Sequence, residues 1–132
     1  MPNQPETVVP RHVLVVDDNV ELAQAFADLL ELDGYRVTVI NDGAKGLEFV
    51  LKSDVDVILC DLSMPQLEGD MFYYAAQRVR PELSGRFIFV TGHAGNPKYE
   101  SFLRHVNARV LHKPVPVSAL LGALTELFSR TA

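Results

Sequence analysis

With 132 residues, 48% apolar and 22% charged, the chain has the length and composition of one globular domain, which excludes a fibre, a disordered chain or two full-sized domains. A formal net charge of −5 without any Lys/Arg cluster argues against nucleic-acid binding, because phosphates need a basic footprint. No run is long enough to span a bilayer, MPNQPETVVPR lacks the features of a secretion signal, and the single Cys60 cannot form an internal disulfide, so a cytoplasmic protein with no membrane partner is expected.

Residues 1–10 carry Pro2, Pro5 and Pro10 and read as a flexible leader, so the domain is expected over residues 11–130. The first strand is expected from His12 to Val16. A helix follows with Val20, Ala23, Phe26, Ala27 and Leu30 on one face, capped by Asn19 and ended by Gly34. The second strand runs from Tyr35 to Ile40 and the second helix from Gly43 to Leu51. Val55 to Cys60 is the third strand, and Cys60 within it reads as a small buried hydrophobe. Met71, Phe72, Ala75, Ala76 and Val79 form the stripe of a third helix that stops before Pro81. Arg86 to Val90 is the fourth strand. Asn96 and Pro97 open a fourth helix carrying Phe102, Leu103 and Val106. Arg109 to Leu111 is the fifth strand, and Val117, Leu120, Leu121, Leu124, Leu127 and Phe128 line the fifth helix. Strands apolar on both sides and alternating with amphipathic helices indicate an α/β fold with a doubly wound parallel sheet.

Each of these strands except the second is followed at once by a polar group suited to chemistry: Asp17 and Asp18, Asp61, Thr91, then His112 and Lys113. In an open parallel sheet all strands end on one edge, so these groups meet there. Three carboxylates brought together repel one another unless a cation sits among them. Oxygen ligands without paired His or Cys favour a hard ion, and Mg²⁺ is expected. One carboxylate could then attack phosphorus while the ion, an ammonium and a hydroxyl offset the developing charge. Asp61, Lys113 and Thr91 suit those roles. The four histidines, His12, His93, His105 and His112, show no metal-ligand spacing.

The fragments VVDDN (Val15 to Asn19), DLSMPQLEG (Asp61 to Gly69), VTGHA (Val90 to Ala94) and HKP (His112 to Pro114) together resemble the receiver domain of two-component response regulators, from about Arg11 to Phe128. The resemblance implies a flavodoxin-like (βα)5 fold with strand order 2-1-3-4-5. It implies that Asp61 accepts a phosphoryl group from a phosphohistidine of a histidine kinase or histidine phosphotransfer protein. Asp18 and Asp61 would bind Mg²⁺ directly, Asp17 through water, and Ser63 through its backbone carbonyl. Thr91 and Lys113 would meet the phosphoryl oxygens, and the Lys113-Pro114 peptide would be cis. Ser63 and His93 would tune the lifetime of the phosphoryl group. Such a chain is a phosphoacceptor that catalyses its own labelling and hydrolysis rather than an enzyme, and a monomer or weak homodimer is expected.

Val110 departs from the pattern, standing where many receivers carry a switching Tyr or Phe, and a β-branched side chain has few χ1 states. The fifth helix lacks an acidic cap, which predicts a loosely fixed start. The run from FVTGHAG to VLHKP also looks like receivers at the end of hybrid histidine kinases, consistent with a phosphorelay or sink. No output domain follows Ala132, so any effect is expected to pass through a partner protein. The rival readings are a non-phosphorylated interaction module, which has no need of five matched groups, and a dehalogenase-like phosphohydrolase, which would place a second Asp where Ser63 stands.

Overall fold

The computed structural model describes residues 9–92 and 96–131. Five strands alternate with five helices: β1 (His12–Val16), α1 (Val20–Leu32), β2 (Arg36–Ile40), α2 (Gly43–Lys52), β3 (Val57–Asp61), α3 (Gly69–Val79), β4 (Phe87–Thr91), α4 (Pro97–His105), β5 (Arg109–His112) and α5 (Val117–Thr131). The strands form one parallel sheet in the order β2-β1-β3-β4-β5, as the resemblance implied. The expected leader lies mostly outside the described residues.

The two-residue period of a strand sends alternate side chains to opposite faces. Val13, Val15, Leu59, Ile88 and Val90 join Ala23, Phe26 and Leu30 of α1 and Leu120, Leu124 and Leu127 of α5 on one face. Leu14, Val16, Ile58, Cys60, Phe87 and Phe89 join Val50 of α2, Phe72, Tyr73 and Ala76 of α3 and Phe102 of α4 on the other. The second core is aromatic: Tyr73 lies 4.9 Å from Phe87 and 5.6 Å from Phe102, both edge-on, the orientation that sets a ring's positive rim against its neighbour's negative face.

The helix signals act as read from the sequence at the starts of α1 and α4, and Asp42, not read as a cap, closes the start of α2 in the same way. Asn19 Oδ1 accepts from Leu22 N at 3.1 Å, Asp42 Oδ1 from Ala44 N at 2.7 Å, and Asn96 Oδ1 from Lys98 N at 3.0 Å. Gly34 follows α1 at φ +94°, where a Cβ would be strained. The start of α5 is closed by the Pro116 carbonyl, which accepts from Ala119 N and Leu120 N at 3.0 and 3.1 Å, so the missing acidic cap does not leave the turn open.

Four expected core residues face solvent: Val20, Met71, Val79 and Val117. In α3 the buried row is Gly69, Phe72, Tyr73 and Ala76, because the helix turns its aromatic pair to Phe87. Met71 and Val79 flank that row and fall outside it; Tyr73 takes the core position that periodicity assigned to them. A short 3₁₀ turn at Pro81–Gly85, absent from the sequence reading, buries Leu83. Just before it, the Arg80 guanidinium donates to the carbonyls of Val50 and Ser53 at 2.9 Å each, tying α3 to the last turn of α2. β3 begins at Val57 rather than Val55 because Asp56 turns its carboxylate to the His12 amide at 2.6 Å, using a side chain where a ladder bond would run.

Candidate functional site

Strand order reverses beside β1, whose neighbours are β2 and β3, and the crevice beyond their carboxyl ends is where open α/β sheets take ligands. In the β1–β3 register Val16 faces Cys60, so the next residues, Asp17 and Asp61, stand side by side at that edge. They are only 2% and 4% exposed, whereas Asp18 projects into solvent. Asp17, Asp18 and Asp61 each bring a carboxylate oxygen within 4.8 Å of the others.

Lys113 reaches in from the end of β5. Its Nζ lies 3.2 Å from Asp17 Oδ2 and 3.6 Å from Asp61 Oδ2. The second oxygen of Asp17 accepts from Asn19 N at 2.9 Å, and Asp61 Oδ1 takes a long 3.4 Å bond from Ser63 N. Burial pushes the Asp61 carboxyl up from 3.8 to about 7, Asp17 and then Asp18 add to the rise, and Lys113 and the Ser63 amide oppose it. Three carboxylates face one ammonium, which leaves the cluster short of positive charge.

Thr91 ends β4, fully buried, and its carbonyl accepts from Lys113 N at 2.9 Å, joining the last residues of β4 and the loop after β5. The Lys113-Pro114 peptide is cis, as the resemblance implied. Ser63 is half-buried beside Asp61, and His93 lies outside the described residues. Val110, half-buried, sits opposite Phe89 in the β4–β5 register and packs on the aromatic core.

The loop from Leu62 to Glu68 is tightly wound. Leu62 and Met64 are buried, Gln66 adopts φ +73°, and Leu67 N donates to the Pro65 carbonyl at 2.8 Å. Gly69 then returns to the end of β3, its amide 2.9 Å from the Leu62 carbonyl; a Cβ there would strike the Asp61 carbonyl oxygen and stand 2.8 Å from Leu62 Cα. The glycine therefore sets how closely α3 approaches Asp61. Cys60 is buried, and burial raises its thiol well above its usual range with Asp61 and Asp17 adding to the effect, so it is an inert packing residue.

Two polar residues near this edge, Asn41 and Glu68, have no part in the sequence reading. Asn41, directly after β2, donates its side-chain amide to the Asp17 carbonyl at 2.8 Å, so the second strand also ends on a group that serves this edge. The pattern of polar strand ends was the available signal. Glu68 receives Lys98 Nζ at 2.6 Å and the Tyr99 hydroxyl at 3.3 Å, binding the loop after β3 to the first turn of α4. Residues thirty positions apart give no sequence signal for such a pair. His12 lies between the Asp54 carbonyl at 2.9 Å and Thr38 Oγ1 at 2.7 Å, and His105 Nδ1 lies 2.7 Å from the Ser101 carbonyl.

The donor set fits a hard divalent cation: carboxylates on adjoining strand ends, one of them solvent-facing, with a charge deficit that one lysine does not fill. Among the described residues no helix is long and apolar enough to cross a membrane.

The family model described as Response regulator receiver domain matches residues 13–125. The transcriptional regulatory protein GlrR of Escherichia coli K12 is 29% identical over 123 residues, 93% of this chain and 27% of that protein. The sensor histidine kinase RcsC of the same strain is 32% identical over 114 residues, 86% of this chain and 12% of the kinase. Response regulator receiver protein Anae109_2439 of Anaeromyxobacter is 30% identical over 111 residues, 84% of this chain and 46% of that protein. The chain thus spans less than half the length of each relative. Among solved structures, a CheY-like response regulator receiver domain protein from Methanospirillum hungatei JF-1 superimposes with a TM-score of 0.84 at 26% identity, covering 93% of this chain and 98% of that one.

Proposed function

Because this chain belongs to the response regulator receiver domain family of two-component signalling, we propose that Asp61 is its phosphoacceptor and that Asp17, Asp18, Thr91 and Lys113 make the acceptor work. The observation that carries this reading is the state of Asp61: a carboxylate 4% exposed, with Lys113 at 3.6 Å and two further carboxylates close by, at the reversal point of the sheet.

An Asp61 oxygen attacks the phosphorus of a phosphohistidine presented by a histidine kinase or histidine phosphotransfer protein. The P–N bond breaks as the P–O bond forms, and the leaving imidazole nitrogen keeps the electron pair. Asp18, Asp61 and the Ser63 carbonyl would hold Mg²⁺, with Asp17 acting through water, and the ion when bound supplies positive charge for the phosphoryl oxygens. Lys113 already stands between Asp17 and Asp61, so it can exchange a carboxylate for a phosphoryl oxygen without a long movement. Thr91 offers its hydroxyl from the adjacent strand end. Ser63, half-buried beside Asp61, and His93, two residues past Thr91 in the chain, would tune the lifetime of the phosphoryl group. Attack of water on phosphorus then releases phosphate and restores the carboxylate. The chain is accordingly a phosphoacceptor rather than a turnover enzyme, working in the cytoplasm as a monomer or weak homodimer.

Incubation with a small phosphodonor, followed by intact mass measurement, tests the assignment. Wild type gains one phosphoryl group in Mg²⁺ and none in EDTA, and Asp61→Asn gains none. An acid-stable label that persists in EDTA or in Asp61→Asn overturns it.

A further inference from the structure

β1 and β2 pair in parallel up to Val16 and Ile40, and the ladder gains one further bond from Asp17 N to the Ile40 carbonyl at 3.2 Å. In a parallel ladder the next donor to the Asp17 carbonyl would be a backbone amide two residues past Ile40. That position is Asp42, which has already left the strand to cap α2. Asn41 fills the gap with its side chain, donating Nδ2 to the Asp17 carbonyl at 2.8 Å.

The peptide held in this way joins Asp17 to Asp18. Its two neighbouring fixings are the Ile40 carbonyl on the Asp17 amide and the Asn19 amide on Asp17 Oδ1 at 2.9 Å. Asp18 is exposed, so packing does little to aim its carboxylate and the orientation of the preceding peptide does most of it. An amide that locks this peptide plane therefore decides where the solvent-facing carboxylate of the cluster points. We infer that Asn41 is a positioning residue for the cation site: through the Asp17 carbonyl it aims the Asp18 carboxylate at the space shared with Asp17 and Asp61. This rests on the Mg²⁺ reading of the site above.

Hydrogen-bond partners that orient ligating groups typically change metal affinity by 10–100-fold when removed. Isothermal titration of the unphosphorylated protein with MgCl₂ reads the effect without any phosphoryl chemistry. Asn41→Ala is expected to raise the Mg²⁺ Kd by about 10-fold. In a labelling assay the half-saturating Mg²⁺ rises by the same factor, while the rate at saturating Mg²⁺ stays near wild type, because none of the groups at phosphorus has changed. Arg80→Met is the control for stability alone, since Arg80 holds the carbonyls of Val50 and Ser53 at the far end of α2. It lowers Tm and leaves the Mg²⁺ isotherm in place. An Asn41→Ala protein that loses Tm yet keeps the wild-type isotherm overturns the inference, for Asn41 then only finishes a strand. Failure of wild type itself to bind Mg²⁺ is a different result and removes the metal reading first.

Discussion

Burying the Asp61 carboxylate without a metal destabilises the protein, and the cost can be worked out. Its carboxyl rises from 3.8 to about 7, first through burial and then through Asp17. Roughly three units at 1.36 kcal/mol each caps the destabilisation at about 4 kcal/mol. The folded state holds the Asp61 proton at pH values where the unfolded chain has released it, so between pH 4 and 7 the folded form binds more protons and stability falls as pH rises. Asp61→Asn removes the titration. Lys113 keeps a partner in that variant, because Asp17 Oδ2 lies 3.2 Å from its Nζ. Urea denaturation in EDTA should therefore find the two proteins alike near pH 4 and the variant more stable above pH 7, by up to about 4 kcal/mol. Mg²⁺ should narrow the gap at pH 8 by stabilising wild type through the ionised carboxylate. A variant no more stable than wild type at pH 8 in EDTA would refute the claim that burial and Asp17 strain this charge.

Two glycines predict opposite signs for one substitution. Gly69→Ala drives a Cβ into the backbone of Asp61 and Leu62 and should cost about 1–3 kcal/mol in urea denaturation while slowing phosphorylation, whereas Gly122→Ala, with open space at an exposed helical position, should gain about 0.5–1 kcal/mol. Glu68→Ala removes the partner of Lys98 and Tyr99; both carboxylate contacts are partly exposed, so global stability should change by less than about 1 kcal/mol, but amide hydrogen exchange in the first turn of α4 should quicken.

What could be read in advance was what strand ends announce by themselves. Asp17, Asp61, Thr91 and Lys113 each close an apolar run, and a parallel sheet has one carboxyl edge, so their meeting needed no register. The order of the strands was not in the periodicity; it came from the resemblance. Asn41 was passed over because its use depends on where the β1–β2 ladder stops, a matter of one residue. Met71 and Val79 were misplaced because hydrophobicity alone does not say which side of a helix an aromatic wall will claim; Phe87 and Phe102 claimed Tyr73. The capping residues Asn19 and Asn96 were the reverse case, since a side chain that accepts from amides two or three residues ahead is a local event.

Val110 turns the question of output toward α4. Its side chain is small and packed against the aromatic core, so the β5 position offers no ring to swing between an inner and an outer site. The helix beside it is instead held at two places. Phe102 sits edge-on to Phe89 at 5.2 Å, a contact buried in the core. Tyr99 and Lys98 hold Glu68, which ends the loop that starts at Asp61 and closes on it through Gly69. Of these two, the core contact cannot shift without disturbing close-packed rings, whereas the Lys98–Glu68 ion pair lies near the surface and exchanges readily with water, leaving the partly buried Tyr99–Glu68 bond to hold the turn. A change of charge at Asp61 is therefore expected to loosen the first turn of α4 before the body of the helix, which amide hydrogen exchange with and without a phosphodonor would read.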